Sequence, residues 1–297
     1  MQASRKRRWE RQARDWPHRD ASRFVAAGGI EWHIQTMGAG PWVLLLHGTG
    51  ASTHSFRDLA PALARDFSVL AVDLPGHGFT ATPPSSLMSL QGFAGLVSTL
   101  CEALDVSPAL AVGHSAGAAV LIRMALDGKI APRGIAALNG ALLPLSAPGA
   151  IFFKPVAKLL AGLPILPALL AYRSESSGRV ERLLAGTGSR LDAAGVRFYR
   201  QLFADPDHVG AALAMMAHWD IETLADELPK LAVPLALVIG SNDRTISPAD
   251  QRRVAQRVPD ATVDMQPGLG HLAHEEDPEG TAEILRTRFA SWARKKA

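Results

Sequence analysis

The sequence has few of the features that usually cross-link or export a protein. Its 297 residues include a single cysteine, Cys101, which excludes an intramolecular disulfide framework and any zinc site built from several cysteines. The arginine-rich N-terminus is not followed by the apolar run of about 7 to 15 residues that a secretory signal peptide needs. These absences predict a protein of the cytoplasm.

Charged residues are also sparse, at 20% against 47% hydrophobic residues, and this balance predicts a folded globular chain without extended disorder. The histidines are scattered and no nucleotide-binding glycine pattern occurs, so we expect neither a metal site nor a nucleotide cofactor. Cys101 lies in "LVSTLCEALDV", which is typical of the buried face of a helix. We therefore interpret Cys101 as a core thiol and not as a nucleophile.

Basic charge is concentrated at the N-terminus. Residues 1–23 hold eight Lys and Arg against three acids, a surplus of five in a chain of net charge +3. We interpret them as a basic arm, which is either a solvated segment or one that touches an anionic membrane or an acidic protein. No basic patch with interleaved aromatic residues continues into the rest of the chain, so we do not expect nucleic acid as a partner.

Apolar runs alternate with helical patterns along most of the chain. Runs without polar alternation are typical of strands buried on both faces, and they occur at 42–46, 67–72, 108–112, 134–138 and 235–239. Helical patterns occur at 54–64, 89–104, 116–127, 248–257 and 279–293. This alternation predicts an α/β fold with a mostly parallel sheet and helices on both faces. An earlier pair of segments joined at Gly28 and Gly29 predicts an antiparallel hairpin at the sheet edge.

The alternation stops between residues 141 and 229, where no strand-like run occurs. The apolar stretch 147–173 is interrupted by four prolines and two lysines, which argues against a membrane-spanning helix. We interpret residues 141–229 as a helical cap inserted into a core of residues 24–140 and 230–297. The cap either lines a pocket for a large hydrophobic ligand, rests on a membrane surface, or simply packs on the core.

The motif "GHSAG" places Ser115 between two glycines, and the serine is either a nucleophile or only part of a turn. The surrounding "ALAVGHSAGAAVLIRMAL" has the pattern of a strand, a turn and a helix, and Gly113 and Gly117 leave the space that a sharp turn needs. A helix that begins after Ser115 also directs backbone N–H groups and its positive dipole end towards a developing oxyanion. This context predicts that Ser115 is a nucleophile.

A nucleophilic serine needs a base, and the base needs an acid, in the chain order Ser, Asp or Glu, His. Asp243 directly follows the apolar run 235–239, and His271 lies in a glycine-containing loop after the next predicted strand. His274 is the alternative base, but the glycines before His271 suit a loop tip better. We therefore predict a triad of Ser115, Asp243 and His271.

An acyl-transfer site also needs donors for the oxyanion. The backbone N–H groups of Thr49, in "HGTGAS", and of Ala116 are the predicted donors. His47, Asp73 and His77 lie in glycine-rich turns after strands, and we interpret them as residues that fix those loops.

Five motifs, "HGTGAS", "DLPGHG", "GHSAG", "GSND" and "GHLAHEEDP", together resemble the α/β-hydrolase superfamily over residues 24–295. The resemblance implies an eight-stranded, mostly parallel sheet with a helical cap. It also implies that the triad positions fall on Ser115, Asp243 and His271.

A closer resemblance is carried by "RDWPHRDASRFVAAGGIEWHIQTMG", "LLLHGTGASTHSFRDLAPALA", "DLPGHGFT" and "AHWDIETLADELPKLAVPL". These segments are similar to the magnesium-chelatase accessory proteins of bacteriochlorophyll biosynthesis. That resemblance implies a role near Mg²⁺ insertion into protoporphyrin IX, with chelatase subunits and tetrapyrroles as partners, in the cytoplasm or peripherally at the photosynthetic membrane. The chelatase uses an ATPase motor, and no such motif is present here, so we do not expect this chain to be the catalytic chelatase.

Three functions follow from these patterns. The first is a serine hydrolase that acts on an ester or a related acyl bond. The second is a porphyrin-binding or carrier module that performs no chemistry, and the third is a generic carboxylesterase with no link to tetrapyrroles.

Overall fold

The computed structural model describes residues 2–144, 168, 171 and 178–295. Its centre is a single eight-stranded sheet of order β1-β2-β4-β3-β5-β6-β7-β8. The strands are β1 (Ser22–Ala27), β2 (Ile30–Met37), β3 (Trp42–Leu46), β4 (Ser68–Val72), β5 (Leu110–His114), β6 (Ile135–Leu138), β7 (Leu235–Gly240) and β8 (Ala261–Gln266). Strands β3 to β8 run parallel, while β2 is antiparallel to β1 and β4. The predicted mostly parallel sheet and its edge hairpin are confirmed.

Helices follow most of the strands. They are α1 (Gln2–Gln12), α2 (Leu59–Leu63), α3 (Leu90–Ala103), α4 (Ala116–Leu126), α5 (Arg179–Gly186), α6 (Ala193–Phe203), α7 (Pro206–Ala217), α8 (Ile221–Glu227), α9 (Pro248–Arg257), α10 (Ala273–Glu276) and α11 (Pro278–Lys295). Several begin at side-chain caps that the sequence makes available. Ser89, for example, accepts a hydrogen bond from the Gly92 N–H at the start of α3, and this satisfies one of the donors that a helix start leaves unpaired.

Alternate residues of the central strands pack on opposite faces of the sheet. Leu44 and Leu46 of β3 pack in a cluster with α3 and α4, whereas Val43 and Leu45 pack with α2 and α11. Each such buried side chain contributes roughly 1.5–3 kcal/mol, and β3 contains only apolar residues. Cys101 belongs to the first cluster, and burial raises the pKa of its thiol to about 12, as expected of a core thiol.

The N-terminal helix is packed against the core. Trp9 and Trp16 are buried, and both rings lie edge-on to Phe79 with centroids 4.9 Å apart. Trp9 also contacts Phe24 of β1, and Trp16 contacts Phe198 of α6. The N-terminal segment therefore joins strand β1, the loop of Phe79 and helix α6.

Some of the basic charge of residues 1–23 is buried as well. The Arg5 guanidinium is buried and donates to the Gly78 carbonyl oxygen at 2.9 Å and to Thr82 Oγ1 at 3.0 Å. Residues 1–23 are therefore not a fully solvated arm, because Trp9, Trp16 and the Arg5 guanidinium are buried. Local composition indicated the charge, but the partners of that charge lie about 70 residues away in the sequence.

Helices α5 to α8 lie between β6 and β7 in the chain, within the predicted cap of residues 141–229. Most of the apolar stretch 147–173 falls outside the described residues. The division into a cap and a core of residues 24–140 and 230–297 stays a prediction. In the part of the chain that the structure describes, no helix is both long and apolar enough to cross a membrane.

Candidate functional site

Loops from the carboxyl ends of the parallel strands meet at one edge of the sheet, which is where α/β proteins bind ligands. The residues concerned follow β3, β5, β6, β7 and β8, and they are residues 47–50, Ser115, Asn139, Asp243 and His271. The sheet topology thus gathers segments that are distant in sequence. The three predicted triad residues, Ser115, Asp243 and His271, are among them.

Ser115 occupies a sharp turn between β5 and α4. Its backbone has φ 49° and ψ −115°, a conformation that costs a residue with a side chain about 1–3 kcal/mol. The strain is held by hydrogen bonds, because the Ser115 N–H donates to the Leu138 carbonyl oxygen and the Ser115 carbonyl oxygen accepts from the Ala118 N–H. The side chain lines a cavity above the sheet.

The glycines around this serine are required by close backbone approach. A Cβ atom on Gly113 would lie 2.4 Å from the Ala118 nitrogen, and one on Gly117 would lie 2.1 Å from the Leu46 carbonyl oxygen. A Cβ on Gly48 would come within 3.0 Å of Ser115 Cβ. Since real Cβ atoms do not approach other atoms this closely, the motif permits helix α4 to start directly against β3.

His271 and Asp243 are joined by a hydrogen bond of 2.8 Å between Nδ1 and Oδ2. Both side chains are buried, but His271 lines the same cavity as Ser115. A carboxylate only accepts hydrogen bonds, so Nδ1 carries the proton and Nε2 is left as the acceptor. The imidazole is therefore held in the tautomer that can take a proton from a hydroxyl group.

The Asp243 carboxylate accepts hydrogen bonds from three further groups. The backbone N–H groups of Thr245 and Ile246 donate to Oδ1 at 2.7 and 2.9 Å, and Asn139 Nδ2 donates to Oδ2 at 2.7 Å. These donors fix the position of the carboxylate beside the His271 ring. Sequence reasoning missed Asn139. The available signal was an asparagine that directly follows a predicted strand and precedes Gly140. Asparagine tolerates a left-handed backbone, and Asn139 has φ 47°.

A loop of the cap segment packs directly on these residues. The Thr187 carbonyl oxygen accepts from the N–H groups of His271 and Arg244, and the Gly188 carbonyl oxygen accepts from Asn242 Nδ2 at 2.7 Å. Gly188 has φ 88°, and a Cβ there would lie 2.0 Å from the Asn242 carbonyl oxygen. Sequence reasoning missed this support, although "GTGS" carries the glycine that such a contact needs.

His274, the alternative base, lies elsewhere. Its Nε2 is paired with Ser55 Oγ at 2.7 Å, and burial lowers the pKa of the imidazole to about 3. No carboxylate among the described residues contacts it, and it does not line the cavity. The geometry therefore favours His271 over His274. His114 Nε2 donates to the His271 carbonyl oxygen at 3.0 Å, and this bond ties the loop of His271 to the turn before Ser115.

The predicted oxyanion donors border the same cavity. Thr49 and Ala116 both line it next to Ser115. Within the described residues, neither backbone N–H donates to an acceptor of the protein. Donors without an internal partner are what a site for a transient negative charge requires.

His47, Asp73 and His77 fix loops, as predicted. His47 Nε2 accepts from the Leu74 N–H at 2.9 Å, so its Nδ1 donates to the Gly48 carbonyl oxygen at 2.8 Å. Asp73 accepts from the backbone of two loops and from the His33 ring. These interactions keep the pKa of the Asp73 carboxyl well below its ordinary value, with His33 the strongest favourable influence.

The cavity beside Ser115 has a volume of about 610 Å³, within the range of about 300–1,000 Å³ typical of small-molecule sites. Its walls are largely apolar, with Phe203, Met215, Trp219 and Leu184 among the larger side chains. Leu183 at the border is 54% exposed. Among the described lining residues there is no lysine or arginine.

A buried charge pair near the cavity was also missed from the sequence. Arg57 Nη1 donates to Glu275 Oε2 at 2.6 Å, and the Tyr199 hydroxyl donates to Glu275 Oε1 at 2.7 Å. Burial raises the pKa of the Glu275 carboxyl, and the Arg57 guanidinium opposes that rise. Because Tyr199 belongs to α6 and lines the cavity, this network ties α6 to Arg57 and Glu275.

Comparison with known proteins agrees with the fold. A family model described as the alpha/beta hydrolase family matches residues 43–284, and the chain belongs to that family. Among solved structures, an alpha/beta hydrolase fold protein from Burkholderia ambifaria superposes with a TM-score of 0.76 at 24% identity, covering 90% of this chain and 97% of that chain.

Two relatives are similar over nearly the whole chain. The magnesium-chelatase 30 kDa subunit of Rhodobacter capsulatus is 37% identical over 273 residues, which cover 91% of this chain and 95% of the relative. The 2-(acetamidomethylene)succinate hydrolase of Mesorhizobium japonicum is 27% identical over 277 residues, which cover 89% and 93%. The chain is thus similar both to a protein named as a hydrolase and to one named for the magnesium chelatase.

Proposed function

We propose that this chain is a serine hydrolase that cleaves an ester or a related acyl bond of a hydrophobic substrate, with Ser115, His271 and Asp243 as its triad. One observation carries the proposal: the Asp243–His271 hydrogen bond stands beside a cavity that also contains the strained Ser115 turn. A turn under strain and a tautomer fixed by a carboxylate have a direct use in acyl transfer.

In this mechanism Ser115 Oγ attacks the acyl carbon while its proton moves to His271 Nε2. The N–H groups of Thr49 and Ala116 donate to the oxyanion, and Asp243 stabilises the imidazolium through Nδ1. The C–O bond then breaks, and His271 returns the proton to the leaving alkoxide. Water, deprotonated by His271, then attacks the acyl carbon of the acyl-enzyme; as the bond to Ser115 Oγ breaks, His271 returns the proton to Oγ and the acid is released.

The lining of the cavity supports an uncharged, hydrophobic substrate. A free carboxylate bound there would lose its hydration without gaining a lysine or arginine from the described lining, and such a loss is costly. An esterified carboxyl group carries no charge and loses little. We therefore expect long-chain or cyclic hydrophobic esters to be hydrolysed faster than short or charged ones.

The proposal is tested with a fluorophosphonate probe and nitrophenyl esters of increasing acyl length. Wild-type protein should be labelled on Ser115, and Ser115→Ala should lose both labelling and turnover. Ser98→Ala is the matched control, because Ser98 lies in α3 and donates to Glu102. A folded wild-type protein that is neither labelled nor active would refute the proposal.

The finer biological assignment is a role beside the magnesium chelatase of bacteriochlorophyll synthesis, with chelatase subunits as partners. It is supported by the 37% identity to the Rhodobacter capsulatus subunit. Complementation of a strain lacking that subunit, read by pigment absorbance, tests it. Loss of pigment with Ser115→Ala would link hydrolysis to the magnesium step, and failure of the wild-type protein to complement would leave a generic carboxylesterase.

A second candidate is a porphyrin-binding module without chemistry, and the apolar cavity of about 610 Å³ favours it. Protoporphyrin IX would then perturb its Soret band on binding and quench Trp219, which lines the cavity. Ser115→Ala should bind as tightly as wild type under this view and should complement fully. Met215→Trp, which fills the cavity, should weaken binding.

Weak contact with an anionic membrane is a further proposal for the outer face of the N-terminal segment. Lys6, Arg11 and Arg14 are exposed, and each basic residue near an anionic surface contributes about 1 kcal/mol. The triple substitution to Gln should reduce sedimentation with anionic vesicles and leave neutral vesicles unaffected. Substitution is preferred to deletion, because deletion would uncover the buried Trp9 and Trp16.

A further inference from the structure

His208 of the cap helix α7 is completely buried and forms two hydrogen bonds with the core. The Gly78 N–H donates to its Nδ1 at 3.1 Å, so Nε2 carries the proton and donates to the Gly50 carbonyl oxygen at 3.1 Å. The bond from Gly78 requires an unprotonated Nδ1 and hence the neutral ring, and burial keeps the pKa of His208 well below its ordinary value. One side chain therefore joins two loops that are unconnected in sequence.

The bond to Gly50 controls a peptide group next to the predicted oxyanion donor. The N–H of that same Gly50–Ala51 peptide donates to the Gly48 carbonyl oxygen at 3.2 Å, which also accepts from His47 Nδ1 at 2.8 Å. The Gly48 carbonyl in turn belongs to the peptide whose N–H is that of Thr49. In a trans peptide the C=O and N–H point in opposite directions, so fixing the Gly48 carbonyl fixes the direction of the Thr49 N–H.

The N-terminal helix secures the other end of this connection. Arg5 and Arg8 both donate to the Gly78 carbonyl oxygen, on the loop whose N–H binds His208. Arg8 also pairs with Asp205, which caps the start of α7 and accepts from the His208 N–H at 3.2 Å. The helix that carries His208 is thus held at its first turn by the N-terminal segment.

Further along α7 there is a second contact with the same loop. The Thr49 hydroxyl donates to Met215 Sδ at 3.5 Å. Gly50 has φ +77°, and because glycine adopts positive and negative φ about equally readily, its own backbone preference does not hold this conformation. Helix α7 therefore contacts two successive residues of the loop that borders Ser115.

We propose that His208 is a positioning residue that aims the Thr49 N–H at the oxyanion by holding the Gly50 carbonyl, and that the N-terminal helix acts on the site through it. The assignment of Thr49 rests on the proposed hydrolase function; the order of the loop does not. His208 itself touches no reacting atom. Its effect should appear in kcat, because a donor for the oxyanion acts in the transition state and not in substrate binding.

The test compares His208→Asn with His208→Gln. The asparagine oxygen replaces Nδ1 as acceptor for the Gly78 N–H, but its amide stops short of Gly50, whereas the glutamine amide reaches the Gly50 carbonyl. We expect kcat for a nitrophenyl ester to fall by about 10- to 100-fold in the asparagine variant with KM changed by less than about twofold. The glutamine variant should recover most of kcat, and His218→Asn, at an exposed site that ends the same helix, should match wild type.

Wild-type kcat in the folded asparagine variant would overturn the proposal. Equal losses in the asparagine and glutamine variants would also overturn it, because the bond to Gly50 would then not be the cause. A rise in KM with unchanged kcat would have the same meaning.

Amide hydrogen exchange gives a readout that does not depend on turnover. Peptides spanning residues 47–53 should exchange faster in His208→Asn than in His208→Gln and wild type. If wild-type protein hydrolysed no ester and Ser115 resisted labelling, the proposed function would fail, while exchange would still decide whether His208 orders this loop. Unchanged exchange in the asparagine variant would overturn the inference by itself.

Discussion

Replacement of Asn139 by alanine should destabilise the protein by about 3 kcal/mol, although Asn139 lies outside the predicted triad. Its Nδ2 donates to the Asp243 carboxylate at 2.7 Å in a buried setting, and a hydrogen bond to a charged group is worth about 1.5–3 kcal/mol. Its φ of 47° adds about 1 kcal/mol for alanine, which tolerates a left-handed backbone less well than asparagine. Asn139→Gly should lose the bond but avoid the backbone penalty, at a cost of about 2 kcal/mol.

Urea unfolding followed by tryptophan fluorescence measures both variants against wild type. Asn242→Ala is the matched control, because Asn242 Nδ2 donates to a neutral carbonyl oxygen, that of Gly188, and its loss should cost only about 1 kcal/mol. If Asn139→Ala cost no more than this control, the account of how Asp243 is held would be refuted. If alanine and glycine at position 139 were equal, the backbone contribution alone would be wrong.

Three further predictions concern stability and are measured by urea unfolding. Arg57→Met leaves the buried Glu275 carboxylate without its cation and should cost about 3–5 kcal/mol, most of which the additional change Glu275→Leu should restore. Burial lowers the pKa of His77 to about 3, so below pH 6.5 the unfolded chain takes up a proton that the folded chain does not. This group alone should lower the free energy of unfolding by about 2 kcal/mol between pH 6.5 and 5. The free energy of unfolding of His77→Asn should therefore depend less steeply on pH. Gly117→Ala would bring a Cβ to 2.1 Å from a carbonyl oxygen of β3 and should lower the free energy of unfolding by about 3 kcal/mol. Gly95→Ala in α3 places its Cβ where no atom lies within 4 Å, so it should raise the free energy of unfolding by about 0.5–1 kcal/mol.

The strands and the main helices were predictable because each depends on a short-range pattern. The run 42–46 coincides with β3, because a continuous apolar run needs burial on both faces of a sheet. The run 248–257 coincides with α9, because Pro248 suits the first turn of a helix that is capped by Ser247. The glycine motif around Ser115 likewise predicted a turn whose shape the structure shows. Loops after parallel strands lie at one edge of the sheet, which agrees with Ser115 and His271 lining the same cavity.

Other parts of the site depend on contacts that no local pattern encodes. Asn139 is one asparagine among many turn residues until β6 and β7 lie side by side and direct it at Asp243. His208 is indistinguishable from a core histidine until α7 is laid over the loop at Gly50. The basic N-terminal residues looked solvated because the carbonyl of Gly78 and the carboxylate of Asp205, which pair with Arg8, are remote in sequence.

The sequence by itself determined the α/β architecture, the turn at Ser115 and the loops that carry Asp243 and His271, because hydrophobic periodicity and glycine spacing act over short distances. Only the tertiary structure decided which histidine meets a carboxylate, since His271 and His274 are three residues apart and differ in what lies opposite them. It also decided that the N-terminal helix is part of the folded core. Pairing of buried polar groups is a long-range property, and it is set by which surfaces the packed elements bring together.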